Sequence, residues 1–232
     1  MDVSIVLPAC NEAKRIRSTV SKIKQMMKGR KFEIIISEDG STDGTDKIAA
    51  ELARKDKKIV HLHSDIRLGK GKALKRGFRV ARGRTVCFFD VDLATDLSYL
   101  PELIDRTKKY DVVIGSRYLK GSITSRVFKR NILSQVYNWL VRLLFSSKIR
   151  DHQCGFKAFR RKVMLDLLKK SKVDKWFIDT ELLVLAQRKG YSIREMPIKW
   201  EENLEKTKVR LLRDTLGFFS DLIKFRLRLW FE

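Results

Sequence analysis

Cysteine and histidine are scarce in this sequence. The 232 residues include three cysteines, and no two of them form a CxxC pair. An odd, scattered set of cysteines argues against a disulfide scaffold and for a reducing compartment. The three histidines, His61, His63 and His152, show no metal-ligand spacing and no serine partner. We therefore expect neither a zinc finger nor a hydrolase triad.

Long apolar runs are missing as well. No stretch of ~18 uninterrupted apolar residues occurs, so the sequence predicts no membrane-spanning helix. No secretory signal precedes the first hydrophobic run, Val3–Leu7. From these features we expect a cytoplasmic protein that is peripheral on the cytoplasmic face of a membrane.

Acidic residues are outnumbered by basic ones. The chain has 51 Lys and Arg against 28 Asp and Glu, which gives a formal net charge of +23 spread along its length. Such a surplus predicts an anionic partner, which could be nucleic acid, an anionic membrane or a phosphorylated small molecule. No recognisable nucleic-acid-binding module is present, so we expect no nucleic-acid partner.

The sequence does contain a regular alternation of short β-rich runs with helical patterns. The five runs are Val3–Leu7, Phe32–Ser37, Ile59–His63, Thr85–Asp90 and Asp111–Gly115. The helical stretches between them are Glu12–Lys28, Thr45–Lys55, Lys70–Ala81 and Ser98–Lys109. This alternation predicts an α/β fold with a mainly parallel sheet covered by helices on both faces.

Polar clusters follow the ends of all five predicted strands. They are Asn11-Glu12, Glu38-Asp39-Gly40-Ser41, Asp65, Asp90-Val91-Asp92 and Ser116-Arg117. Ligands of open α/β sheets bind beyond the carboxyl ends of the strands. The pattern therefore predicts one binding site at this edge, where Asp39 could accept an N–H of a nucleotide base. Lys70 and Lys72, at a predicted helix start, either face a diphosphate or lie in a solvated loop.

Asp90 and Asp92 follow the hydrophobic run Val86–Phe89. Two carboxylates so close together on a chain leaving a sheet can both reach one hard cation, Mg²⁺ or Mn²⁺. Such a cation would neutralise the charge of a departing diphosphate. The alternative is a pair of solvated turn carboxylates, and the position at a strand end favours the metal site.

Three arginines, Arg117, Arg126 and Arg130, surround the stretch Lys120-Gly121-Ser122 and precede Ser134. Arginine suits bidentate phosphate capture, although single arginines are more often surface residues.

The sequence also argues against a nucleotidyltransferase on a similar α/β fold, because no glycine-rich loop with Lys or Arg follows the first strand.

The second half contains predicted helices at Asn131–Ser146, around Asp179–Lys189 and at Arg210–Phe231, and a strand at Ser192–Trp200. The last helix interleaves Leu, Phe and Trp with Arg and Lys. This composition is typical of an amphipathic helix at an anionic membrane interface. The alternative is a helix packed on the core whose basic side chains extend to solvent.

Several motifs together resemble the family 2 inverting glycosyltransferases. These motifs are Val3–Glu12, Glu38–Thr45, Asp90–Asp92 and Gly115–Tyr118. A second set of segments is similar to the dolichyl-phosphate glucosyltransferases, and less so to the dolichyl-phosphate mannose synthases. That set comprises Arg150–Lys157, Trp176–Leu183, Trp200-Glu201 and Lys208.

The resemblance implies one glycosyltransferase domain of the GT-A type over residues 1–232. Its parts would be a nucleotide-sugar-binding half (1–118), an acceptor half (119–209) and the amphipathic C-terminal helix (210–232). The nucleotide-sugar-binding residues implied are Pro8, Ala9, Asn11, Glu12, Asp39, Lys70 and Val91. Asp90 and Asp92 would bind the metal and act in catalysis with Arg117. The acceptor phosphate would contact Arg117, Arg130 and Ser134. Asp151, Gln153 and Glu181 would either contact the sugar or form a buried polar network.

The reaction implied by the resemblance is transfer of a hexose to dolichyl (polyprenyl) phosphate for protein glycosylation, with inversion. Glucose from UDP-glucose is favoured, because Ala94 stands where mannose synthases carry Gln. Transfer of mannose from GDP-mannose and of N-acetylglucosamine remain alternatives. Lys208 or Arg210 would be a cation near the diphosphate. The partners implied are the nucleotide sugar, the polyprenyl phosphate and an anionic membrane surface.

Overall fold

The computed structural model describes residues 1–202 and 211–231, so Lys208 and Arg210 lie outside the described residues. The strands of the described part are β1 (Val3–Ala9), β2 (Phe32–Glu38), β3 (Ile59–Leu62), β4 (Thr85–Phe88), β5 (Val112–Ser116), β6 (Ile123–Ser125), β7 (Lys157–Arg160), β8 (Ile193–Pro197) and β9 (Lys199–Glu201). The helices are α1 (Ile16–Met26), α2 (Thr45–Lys55), α3 (Lys70–Val80), α4 (Leu100–Arg106), α5 (Phe128–Phe145), α6 (Arg161–Lys170), α7 (Ile178–Arg188) and α8 (Leu211–Trp230).

Seven of these strands form one sheet in the order β3-β2-β1-β4-β7-β5-β8. Only β7 is antiparallel to its neighbours in this sheet, β4 and β5. The predicted α/β class with a mainly parallel sheet is therefore confirmed. Because β1, β2, β4 and β5 run in the same direction, their carboxyl ends meet at one edge.

Side-chain alternation along the strands builds a hydrophobic core on each face of the sheet. In β1, Ile5 and Leu7 pack against α1 and α4 on one face, whereas Val6 packs on the other. The second face is covered by α3, α6 and α7, with α8 contributing Leu222, Phe225 and Leu229. Both faces are thus buried, as expected for a mainly parallel sheet.

Several predicted boundaries shift because tertiary contacts override local pattern. Helix α1 begins at Ile16 and not at Glu12, after a turn in which the carbonyl oxygen of Glu12 accepts the backbone N–H groups of Arg15 and Ile16. Strand β4 ends at Phe88, two residues before Asp90, which leaves Asp90 and Asp92 outside the strand ladder. The predicted strand Ser192–Trp200 is divided, because β8 pairs with β5 while β9 pairs with β6 in a separate two-stranded sheet.

Helices α5 and α8 contact each other, and each has an exposed apolar side. Helix α8 buries Leu222, Phe225 and Leu229, while its Ile223 and Leu227 are exposed. Both interpretations of this helix thus have a structural basis, since one side packs on the core and another faces outward. Within the described residues, no helix combines the length and the apolarity that crossing a membrane requires.

Candidate active site

A cavity of about 570 Å³ lies at the shared carboxyl edge of β1, β2, β4 and β5. Twelve of the predicted site residues line it: Pro8, Ala9, Glu12, Asp39, Lys70, Asp90, Val91, Asp92, Arg117, Arg130, Ser134 and Gln153. Asn11, Asp151 and Glu181 are not among its lining residues. The sheet edge therefore brings most of the predicted residues together in one place.

Asp39 organises one end of the cavity. Its carboxylate is almost completely buried and accepts hydrogen bonds from the backbone N–H groups of Leu68 (2.7 Å) and Gly69 (2.9 Å). The adjacent Gly40 has a φ of +62°, and a Cβ there would lie 2.5 Å from the backbone nitrogen of Arg67. Only glycine permits this close approach of the two loops. A carboxylate has about four lone-pair sites, so Asp39 can still accept an N–H from a ligand.

Asn11 does not line the cavity but stabilises the loops at the end that contains Asp39. Its side-chain carbonyl oxygen accepts the backbone N–H of Thr42 at 2.8 Å, and its own N–H donates to the hydroxyl of Ser41. These contacts join the loop after β1 to the loop after β2. The position of Asn11 therefore indicates a role in shaping the loops around Asp39.

The centre of the cavity carries alternating charges. The ammonium of Lys70 lies 2.9 Å from Oδ1 of Asp90 and 3.3 Å from Oδ2 of Asp179. Lys157, which is fully buried, lies 2.6 Å from the other oxygen of Asp179. Burial alone would lower the pKa of Lys70, but the attraction of Asp179 and Asp90 outweighs burial and raises that pKa. Lys70 thus stays charged next to the Asp90 carboxylate.

Asp92 lies among groups of its own sign. Burial raises the pKa of this carboxyl, and the negative charges of Asp90 and Glu12 raise it further. The backbone N–H of Ala94 donates to its Oδ1 at 3.2 Å. Carboxylate oxygens are the ligands that Mg²⁺ and Mn²⁺ prefer. The donor set of Asp90 and Asp92 therefore fits a hard divalent cation.

Arg117 is held by Asp151. Its Nε and Nη2 donate to the two carboxylate oxygens at 2.7 and 2.8 Å, and its backbone N–H donates at 3.0 Å. Burial would raise the pKa of Asp151, but the guanidinium of Arg117 holds it below its usual range. The bidentate pair fixes Arg117 in the cavity wall. For Asp151, this geometry favours the buried-network alternative over contact with a sugar.

Arg126 presents unpaired donors beside that pair. Its Nε and Nη1 are buried and have no hydrogen-bond partner among the described residues. Its guanidinium carbon lies 5.5 Å from the centroid of the Trp200 ring, on which Arg117 also stacks at 5.3 Å. Burial and the charge of Arg117 lower the pKa of Arg126. Buried N–H donors without an acceptor are unfavourable, so this part of the cavity is suited to an anion.

Arg130 and Ser134 extend the same wall along α5. Arg130 donates to Oε1 of Glu202 at 2.7 Å, and Ser134 donates to the side-chain oxygen of Gln153 at 3.3 Å. All four residues line the cavity. Arg117, Arg130 and Ser134, which the sequence predicts to contact the acceptor phosphate, thus lie on one side of the cavity together with Arg126.

Glu181 lies in a polar network beneath α8. It is fully buried and accepts hydrogen bonds from Ser171, from the backbone of Lys172 and Val173, and from Arg228 at 2.7 Å. These contacts favour the network alternative for Glu181. They also connect α8 to the core through Arg228.

Sequence reasoning assigned no role to Trp176, Asp179 or Lys157. The Lys70 ammonium lies 4.8 Å from the centroid of the Trp176 ring, and both side chains line the cavity. Trp176 and Asp179 fall in the Trp176–Leu183 motif and Lys157 ends the Arg150–Lys157 motif. Those motifs were the available signal, but charge pairing between them becomes visible only in the fold.

Comparison with known proteins gives consistent matches. The model of the family described as Glycosyl transferase family 2 matches residues 4–168. Over its whole length the chain is 46% identical to the glycosyltransferase AglD of Haloferax volcanii, of which it spans 37%. It is 32% identical to the dolichyl-phosphate beta-glucosyltransferase of Saccharomyces cerevisiae, over 97% of this chain and 74% of the yeast protein.

The fold is also similar to solved structures. Glucosyl-3-phosphoglycerate synthase from Mycobacterium tuberculosis, in complex with Mn²⁺, UDP and glucosyl-3-phosphoglycerate, superposes with a TM-score of 0.72 at 20% identity. The match covers 98% of this chain and 79% of that protein. The fold is therefore of the GT-A type, and the sequence matches show that the protein is a glycosyltransferase. The chain belongs to glycosyl transferase family 2.

Proposed function

We propose that this glycosyltransferase transfers glucose from UDP-glucose to dolichyl or another polyprenyl phosphate, with a divalent metal and with inversion. The observation that carries the proposal is that Nε and Nη1 of Arg126, in the same cavity as Asp90 and Asp92, are buried and have no hydrogen-bond partner among the described residues. One cavity thus offers a place for a metal-bound diphosphate and a separate place for a second anion. The yeast relative, named a dolichyl-phosphate beta-glucosyltransferase, supports the choice of sugar and acceptor.

At the donor end, Asp90 and Asp92 would hold Mg²⁺ or Mn²⁺. When bound, the metal neutralises charge on the departing diphosphate. Lys70 is placed to do the same from the protein side, because its ammonium is already 2.9 Å from Asp90. Asp39, with the loops that it joins, would bind the base of the nucleotide.

At the acceptor end, Arg126, Arg130 and Ser134 would bind the lipid phosphate. An oxygen of this phosphate attacks the anomeric carbon while the bond from that carbon to the UDP oxygen breaks. The products are the lipid-linked sugar and UDP. A phosphate monoester is ionised near neutral pH, so no strong general base is required of the protein. Orientation and charge stabilisation supply the rate enhancement.

The two sides of α5 fit an acceptor whose other end lies in a membrane. Leu133, Ser134 and Tyr137 line the cavity. The other side of the helix has exposed apolar side chains at spacings of three and four residues, namely Phe128, Ile132, Val136, Trp139 and Leu143. A helix lying in the interface in this way would place the acceptor end of the cavity near lipid headgroups. We propose the cytoplasmic face as the site of action.

The test is a donor screen with purified protein, Mg²⁺ and a short polyprenyl phosphate. We expect UDP release and glucosylated lipid from UDP-glucose, and loss of at least about 100-fold in turnover in Asp92→Asn, which removes one metal ligand's charge. Turnover with GDP-mannose alone would keep the mechanism and overturn the choice of sugar. No lipid product from any donor would overturn the proposed acceptor.

A further inference from the structure

A second group of ligating side chains lies outside the cavity, on the edge strand of the sheet. It consists of Glu38, His61 and His63, which each offer one ligand atom, and these atoms all lie within 4.8 Å of one another. Strand β3 pairs in parallel with β2, with His61 beside Ile36 and Leu62 beside Ser37. The next step of that register brings His63 beside Glu38. Because side chains alternate along a strand, His61 and His63 project from the same face.

The hydrogen bonds of His63 show that a positive charge belongs in this group. Its Nδ1 lies 2.6 Å from Oε2 of Glu38, and its Nε2 lies 3.1 Å from Oδ1 of Asp65. A neutral imidazole carries one N–H, so it cannot donate to both carboxylates. To satisfy both carboxylates, the ring must either carry a second proton or bind a metal ion through one nitrogen while the other donates.

His61 supplies the observation that separates these two occupants. Its Nε2 is buried and has no hydrogen-bond partner in the described part of the chain. A second proton on His63 leaves this nitrogen without a partner, whereas a metal ion between the three side chains would satisfy it. Asp65 would then accept the Nε2–H of His63, which is the usual way in which a carboxylate orients a ligating histidine.

We propose that Glu38, His61 and His63 bind a transition-metal ion of the Zn²⁺ class, at a site separate from Asp90 and Asp92. Two imidazoles and one carboxylate suit Zn²⁺ and Co²⁺, whereas Mg²⁺ prefers oxygen ligands alone. The fourth position of a tetrahedral ion would be filled by water. Around the site, Asp46 of α2 favours a cation, while the guanidinium of Arg76, which donates to the backbone carbonyl of His63, opposes one.

The position of the site indicates what the metal does. Glu38 is the last residue of β2, and its Oε1 accepts the backbone N–H of Ser41 at 2.5 Å. A bound metal would therefore link two parts of the fold, namely the edge strand β3 and the turn that contains Asp39. We expect a structural effect, in which bound metal stabilises the loops at the nucleotide end of the cavity.

The test is a titration of the metal-free full chain with Co²⁺, followed by its visible ligand-field absorption, and with Zn²⁺, followed by calorimetry. We expect wild type to bind one ion at this site with intense tetrahedral Co²⁺ bands. His61→Ala and His63→Ala should each lower the affinity at least about 10-fold, and Asp65→Ala by about 10-fold. Far-UV circular dichroism checks that each variant is folded.

Two further measurements separate this site from the acidic pair. Asp92→Asn should leave the tetrahedral Co²⁺ spectrum and its midpoint unchanged. Zn²⁺ should raise the Tm of wild type and of Asp92→Asn, but not that of His63→Ala. The proposal is overturned if wild type gives no tetrahedral Co²⁺ bands, or if the two histidine variants bind Zn²⁺ as wild type does.

Discussion

At the scale of single residues, two arginines on one tryptophan have different hydrogen-bonding states. Arg117 and Arg126 both stack on Trp200, but Asp151 occupies the donors of Arg117 while Nε and Nη1 of Arg126 have no partner within the described residues. The pair with Asp151 uses two of the five N–H donors of Arg117 and fixes its orientation, whereas the two unpartnered nitrogens of Arg126 still need an acceptor. Arg126 is therefore the better candidate for the first contact with the acceptor phosphate.

Replacement of Arg126 should weaken acceptor binding selectively. We expect Arg126→Gln to raise the KM for polyprenyl phosphate about 10- to 100-fold, because a hydrogen bond to a charged group contributes about 1.5–3 kcal/mol. The KM for UDP-glucose should change less than about threefold, because Arg126 is assigned to the acceptor end of the cavity. Steady-state kinetics with each substrate varied in turn measures both, with the exposed Arg79→Gln as the matched control. Equal increases in both KM values would contradict the assignment.

The buried His152 gives the folded protein a defined sensitivity to acid. Burial lowers the pKa of His152 to about 3, whereas in the unfolded chain it titrates near 6.5. Between these values the unfolded chain binds a proton that the folded chain does not. Stability should therefore fall as the pH drops from about 6.5 towards 3, by up to ~1.4 kcal/mol per pH unit from this group.

Urea unfolding at pH 7 and pH 5 measures this effect. We expect the loss of stability between the two to be smaller by about 2 kcal/mol in His152→Gln than in wild type. Burial also lowers the pKa of His61, and Glu38 raises that of His63, but both contributions are shared by the two proteins and cancel in the comparison. Equal losses in both proteins would show that His152 is not kept neutral by the fold.

At the scale of elements, strands β1 to β5 could be predicted from the sequence, but strand β7, which lies between β4 and β5, could not. The five apolar runs gave β1 to β5 nearly at their observed bounds, because each run is continuous and turn residues follow it. Strand β7 covers only Lys157–Arg160 and runs opposite to its neighbours. Because this segment begins and ends with a basic residue, it lacks the continuous apolar run that indicated the equally short β3 and β4. Its place between β4 and β5 is set by pairing over long sequence distances.

The same distinction holds for the site itself. The position of Asp90 and Asp92 at the cavity could be predicted from the strand that precedes them, since ligands of such sheets bind at the carboxyl edge. The difference in hydrogen bonding between Arg117 and Arg126 could not be predicted, because the partner of Arg117 is Asp151, which is 34 residues further along the chain. Local pattern identifies which residue types reach the edge, whereas the fold decides which of them are already paired.

At the scale of the whole molecule, excess positive charge and exposed apolar side chains occur together. The formal net charge is +23. Helix α5 exposes Phe128 and Trp139, and α8 exposes Leu227 and Trp230. On the proposed function, charge would attract the protein to anionic lipid over a distance of about one Debye length, and the apolar side chains would hold it there once they enter the interface.

Vesicle binding should therefore depend on both lipid charge and the exposed side of α5. We expect the protein to sediment with phosphatidylglycerol-containing vesicles, less so as salt rises, and hardly at all with pure phosphatidylcholine. Trp139→Glu should weaken binding about 10-fold or more, since burying a large apolar side chain contributes about 1.5–3 kcal/mol. Val80→Glu, which changes an exposed apolar residue on α3, is the control. If both substitutions weaken binding equally, only the added negative charge matters, and α5 is not the contact surface.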